Sequence, residues 1–120
     1  MLDKYPRRDV AYLATASGVT VVDRRQARVI DLDSFGAQIW LGIDGLHSLR
    51  DIADRLAERY NQPVEPMRSK VEEKCRTLVA AGFVVMADEP SPLPYHVSIP
   101  RDQQDRAKMT RSMQEAGWIR

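Results

Sequence analysis

The side chains whose type and placing suggest nucleophile, base or metal ligand are one cysteine, Cys75, two histidines, His47 and His96, and an apparent cluster of aspartates, Asp31, Asp33 and Asp44. A cysteine attacks only as its thiolate, which needs a neighbouring base or positive field. Cys75 instead falls on an apolar helical stripe with Met67, Val71 and Leu78, with no histidine nearby in sequence, and reads as a small buried residue. His47 precedes a helix cap and reads as structural or exposed. Asp33 and Asp44 occupy cap and turn positions that account for their carboxylates. A single cysteine excludes an internal disulfide framework, and the spacing of Cys75, His47 and His96 gives no metal site. These residues form no catalytic constellation, and metal-dependent chemistry is not expected.

Recognition is the chemistry left. Eighteen basic residues against seventeen acidic ones give a net charge of +1, so no global field draws nucleic acid or an anionic membrane, and an anionic partner must be met locally. One helix-forming stretch has a local excess, with Arg68, Lys70, Lys74 and Arg76 outnumbering Glu72 and Glu73. No apolar run is long enough to cross a bilayer and the N-terminus lacks the order of a secretory signal, which predicts a cytoplasmic protein.

These residues must be positioned by a small α+β fold. Residues 1–9 are polar, with Pro6 and Arg7-Arg8, and read as a solvated lead-in. Val10–Ala16 and Val19–Asp23 are strand-like runs separated by the turn dipeptide Ser17-Gly18, and Ala27–Leu32 makes a third strand. The result is a three-stranded antiparallel meander, which must be covered on one face by helices. Asp33 and Ser34 can cap a first helix to Ile43, with Phe35, Ile39, Trp40 and Ile43 inward. Ser48 caps a second, with Asp51 completing a capping box and Leu49, Ile52, Ala53, Leu56 and Tyr60 on one stripe. The third begins at Pro66 and ends at Gly82 as a left-handed cap. Phe83–Met86 then returns as a wing-like strand or seals the helices. The architecture expected is winged-helix-like: meander, three helices and a C-terminal extension. Residues 1–88 form the domain, 89–100 a proline-rich, extended linker, and 101–120 a tail able to form a helix, with Asp102 as a cap, Ala107, Met109, Met113 and Ala116 as a weak apolar side, and Trp118-Ile119 beyond Gly117.

The order Leu32-Asp33, Ile39-Trp40, Asp44-Gly45 and then SLRDIADRLAERY resembles the PqqD-like domains known as RiPP recognition elements, over roughly residues 5 to 88. Relatives usually carry Asn where Asp33 stands, and their first helix is commonly richer in alanine and leucine than one holding Gly36 and Gly42. The resemblance implies a protein that is not an enzyme but a chaperone, needs no cofactor of its own, and binds the leader of a ribosomally made precursor peptide. A separate enzyme then modifies the peptide, either a radical SAM protein, as in pyrroloquinoline quinone biosynthesis, or a leader peptidase, as in lasso peptide assembly.

A strand at the end of a meander has unpaired N–H and C=O groups on one side, which an extended peptide can satisfy by β-addition. The resemblance implies that the leader pairs with the third strand, Ala27, Arg28, Val29, Ile30, Asp31 and Leu32. It also implies a groove whose helix wall draws on Arg68, Val71, Lys74, Cys75 and Leu78. Strand residues alternate between faces, so Ile30 and Leu32, in phase with one another, read as core. The alternative is a winged-helix DNA-binding protein using Arg68, Lys70, Lys74 and Arg76, against which near-neutral charge and the early position of the sheet both count. A third reading makes residues 101–120 an arm that docks on a larger enzyme or on a second copy, giving a homodimer.

Overall fold

Apolar alternation in the N-terminal third builds the meander, and a computed structural model shows how it is closed, describing residues 1–16, 18–23, 25–100, 103 and 106–116. The elements run β1 (Tyr5–Arg8), β2 (Ala11–Thr15), β3 (Gly18–Asp23), β4 (Arg28–Asp31), α1 (Ser34–Gly42), α2 (Leu49–Arg59), α3 (Val64–Ala80), β5 (Val84–Ala87), α4 (Tyr95–Ser98) and α5 (Arg106–Glu115). β2, β3 and β4 form the expected antiparallel sheet in that order, and β1 pairs with β5 in a separate two-stranded ribbon. Ser17 of the predicted turn, Asp102, and Gly117 with Trp118-Ile119 lie outside the described residues.

One row of cross-strand partners, Tyr12, Val21 and Ile30, sets the core face of the sheet. Against it pack Ile39 and Trp40 of α1, Leu49, Ile52 and Leu56 of α2, and Met67, Val71, Cys75 and Leu78 of α3. Helix ends follow local chemistry. Asp33 caps α1 by accepting from the Gly36 N–H, and Ser48 with Asp51 forms a complete capping box on α2. Gly82 leaves α3 at φ +82°, where a side chain would be strained. α3 starts two residues before the expected Pro66, since Pro63 occupies the cap position and Pro66 is accommodated in the first turn.

The N-terminus departs from expectation. Residues 5–8 are a strand, with Pro6 and Arg8 buried, and not a solvated lead-in. The Asp9 N–H donates to the Phe83 carbonyl, and in an antiparallel ladder the bonded pairs alternate, so Arg7 and Tyr5 carry the next bonds. Pro6 then falls at a position whose nitrogen points away from β5, and its missing N–H breaks nothing. The extended reading fails in part after residue 88 as well. Residues 89–94 carry no helix or strand, but Tyr95–Ser98 forms a helical turn with His96 and Val97 buried. The Ser91 N–H donates to the Gly45 carbonyl at 2.8 Å, and Gly45, at φ +79°, leaves room for the Ser91 carbonyl oxygen where a Cβ would collide with it. α4 packs on β2 and on α5, with a 2.6 Å hydrogen bond between His96 Nδ1 and Ser112 Oγ. No helix among the described residues is long and apolar enough to cross a membrane.

Candidate functional site

β4 has one bonded neighbour, β3, so its other flank is an edge. The Leu32 N–H donates to the Val19 carbonyl at 2.9 Å. Counting back along the register, Ile30 opposite Val21 and Arg28 opposite Asp23 also face β3. The N–H and C=O groups of Val29 and Asp31 therefore point outward. Val29 is 70% exposed, and its side chain lies with that of Asp31 on the face opposite the helices. Among the described residues no strand covers this flank, and α4 sits on β2, at the other side of the sheet.

Both ends of β4 are tied down. Ala27 enters it at φ +51°. Arg28 then bonds Asp23 at 3.1 Å and the Ala81 carbonyl at 2.9 Å, with its guanidinium 5.1 Å from the Phe83 ring centre. Beyond Leu32, Lys74 Nζ reaches Asp33 Oδ2 at 2.6 Å. These contacts fix the edge against α3 at the strand's start and just past its end. The hydrogen bond from Lys74, helped by the Gly36 N–H, holds the Asp33 carboxyl below the usual carboxylate range. The contact is therefore present at neutral pH and lost as pH falls through that lowered value. Lys74→Gln is expected to move the Asp33 titration back toward the ordinary range in a carbon-detected NMR experiment. An unmoved titration would mean that the Gly36 N–H alone sets it.

The helix wall differs from the sequence reading. Val71 and Cys75 are fully buried and Leu78 nearly so, which places them in the hydrophobic core and not on an open helix wall. Burial pushes the Cys75 thiol up to about 11, and its Sγ lies 3.8 Å from Met86 Sδ. Arg68 turns toward α2, where it holds both oxygens of Asp54 at 2.8 and 2.9 Å and Glu65 at 3.2 Å. That contact lowers the Asp54 carboxyl and raises the Arg68 guanidinium. Arg76 pairs with Glu72 at 3.1 Å. The structure thus brings residues 27–32 together with Lys74 and separates Arg68 from them.

Sequence reasoning missed the space beyond the strand. Phe35, Lys70, Glu73, Lys74 and Thr77 line a cavity of about 250 Å³. Phe35 and Lys70 also border one of about 430 Å³ reaching Met67 and Tyr60. Phe35 was expected inward, but it is only half-buried. The available signal was its position, four residues past Asp31, where a guest running along β4 would arrive.

A family model described as coenzyme PQQ synthesis protein D (PqqD) matches residues 18–84, more than half of the chain. The match holds β3, β4 and the helices α1 to α3, and leaves β1, β2, α4, α5 and all but the first residue of β5 outside. No curated protein and no solved structure matches the chain.

Proposed function

The chain belongs to the coenzyme PQQ synthesis protein D family, and from that membership we propose that it is a non-enzymatic peptide chaperone. It binds the leader of a ribosomally made precursor peptide by β-strand addition and presents the peptide to a modifying enzyme, a radical SAM protein or a leader peptidase. The observation that carries this reading is the outward row of Val29 and Asp31 backbone groups on β4. A guest strand there gains main-chain hydrogen bonds, while its alternate side chains meet Val29 on one face and the Phe35–Lys74 cavity past the strand's end. Ala27, Arg28, Ile30 and Leu32 hold the edge in register, and Val71, Cys75 and Leu78 support it from beneath. Modest affinity suffices, because tethering raises the local concentration of substrate at the enzyme.

The DNA-binding alternative is not favoured. Arg68, Lys74 and Arg76 already face carboxylates of their own chain, so α3 offers little unneutralised charge for phosphates. Calorimetric titration decides between the two, using the leader of a short peptide encoded beside this gene and, separately, a duplex DNA. Saturable leader binding with no DNA binding is expected. Salt-sensitive binding to the duplex, with none to any such leader, would reverse the assignment.

A further inference from the structure

The face made by α1 and α2 carries a second groove, of about 380 Å³. Leu41 and Gly42 supply one wall and Ile52, Arg55, Leu56 and Arg59 the other; no lining residue belongs to β4 or α3. Its floor is apolar, because Ile52 and Leu56 are buried and Gly42 adds no side chain. A Cβ at Gly42 would lie 3.4 Å from Ile52 Cγ2 and take up part of that space. Leu41, on the rim, is 52% exposed. Arg55 and Arg59 stand one helical turn apart, on one face of α2.

The charge at this rim is unanswered. Arg25, Arg28, Arg50, Arg68 and Arg76 each meet a carboxylate. Among the described residues Arg55 and Arg59 meet none. Arg59 donates to Gln38 Oε1 at 3.0 Å, and Arg55 to His47 Nε2 at 2.8 Å, so that Asp44 reaches Arg55 only through the His47 ring. Two guanidiniums flanking an apolar floor are complementary to a segment carrying an apolar side chain between two carboxylates.

We propose that this groove docks the modifying enzyme, through a segment that lays an apolar side chain over Ile52 and Leu56 and sets acidic residues against Arg55 and Arg59. The proposal rests on the peptide-chaperone reading for its partner. It adds the means by which both partners bind together, since the lining of this groove shares no residue with β4 or with the Phe35–Lys74 cavity past its end.

The test uses the full chain and, as probe, the purified modifying enzyme encoded beside this gene, with leader titration run in parallel. R55E/R59E is expected to weaken enzyme binding about tenfold or more while leaving leader affinity and the thermal melt unchanged. Leu41→Ala weakens the enzyme complex several-fold. If the charge reversal disturbs folding, R55Q/R59Q reads the same contact without repulsion. Unchanged enzyme affinity in these variants overturns the proposal. So does a parallel loss of leader affinity, which would give the groove to the peptide, or a wild-type dimer that the charge variants split. Wild-type protein that binds the leader but not the enzyme removes the docking site and leaves the chaperone reading standing. Binding of neither removes both.

Discussion

Proline in place of Val29 is expected to weaken leader binding by about ten- to a hundredfold in a protein that remains folded. The Val29 N–H points away from β3, so its loss takes nothing from the meander, and proline is tolerated at such edge positions. A guest strand loses more. One main-chain hydrogen bond disappears, worth about 0.5–1.5 kcal/mol, and the pyrrolidine ring occupies the place of the guest carbonyl, which disturbs the flanking bonds. Together these reach about 1.5–3 kcal/mol, and each 1.4 kcal/mol is a factor of ten in affinity. Ile30→Pro is the control with the opposite signature. Its N–H belongs to the β3 ladder, so the variant should lose β4 itself, visible as a lowered melting temperature. Leader affinity unchanged in folded Val29→Pro protein would remove this flank from consideration.

Trp40→Ala carries the largest expected effect on stability, about 3–5 kcal/mol. Trp40 has no exposed surface, meets Tyr12 edge-on with ring centres 5.6 Å apart, and lies 5.9 Å beneath the Arg8 guanidinium. Removing the indole opens a cavity where α1 meets the sheet and strips Arg8 of one of its two aromatic partners. The other, Tyr12, is 4.8 Å away. Burial already lowers the Arg8 guanidinium from its ordinary value, so that cation has little alternative solvation. Against a total of about 5–15 kcal/mol for a domain of this size, the loss brings the protein near unfolding. Trp40→Phe should be much milder, because it keeps most of the volume and removes an indole N–H that has no hydrogen-bond partner among the described residues. Urea denaturation of both variants measures the difference. A Trp40→Ala midpoint close to that of the wild type would contradict this packing.

The features legible in the sequence are those governed by neighbours along the chain. Ser48 and Asp51 stand three apart and closed into the capping box, Asp33 capped α1, and Gly82 took the left-handed position after α3. The exposed flank followed from strand order, since the last strand of a three-stranded meander must be an edge. Contacts between distant segments were not legible. β1 joins β5 across about eighty residues, and Tyr-Pro-Arg-Arg carries none of the β-branched character that marks a strand. Its strand form is set by the partner. The family resemblance assigns Arg68 to the peptide groove, but the packing of α3 on α2 brings Asp54 within reach. Only the crossing of the two helices decides that. The buried turn at Tyr95–Ser98 likewise depends on β2 and α5, which a proline-rich composition does not announce.

Cys75 is the chain's only thiol, and it is sealed in the core with its proton held tightly. Maleimides and spin-label reagents, which attack thiolates, should pass it by in the native protein. A cysteine engineered at an exposed site such as Val85 would then take a single reporter with no protecting mutation. Paired with a dye on a synthetic leader, that reporter turns the location of a captured peptide into a distance read in solution.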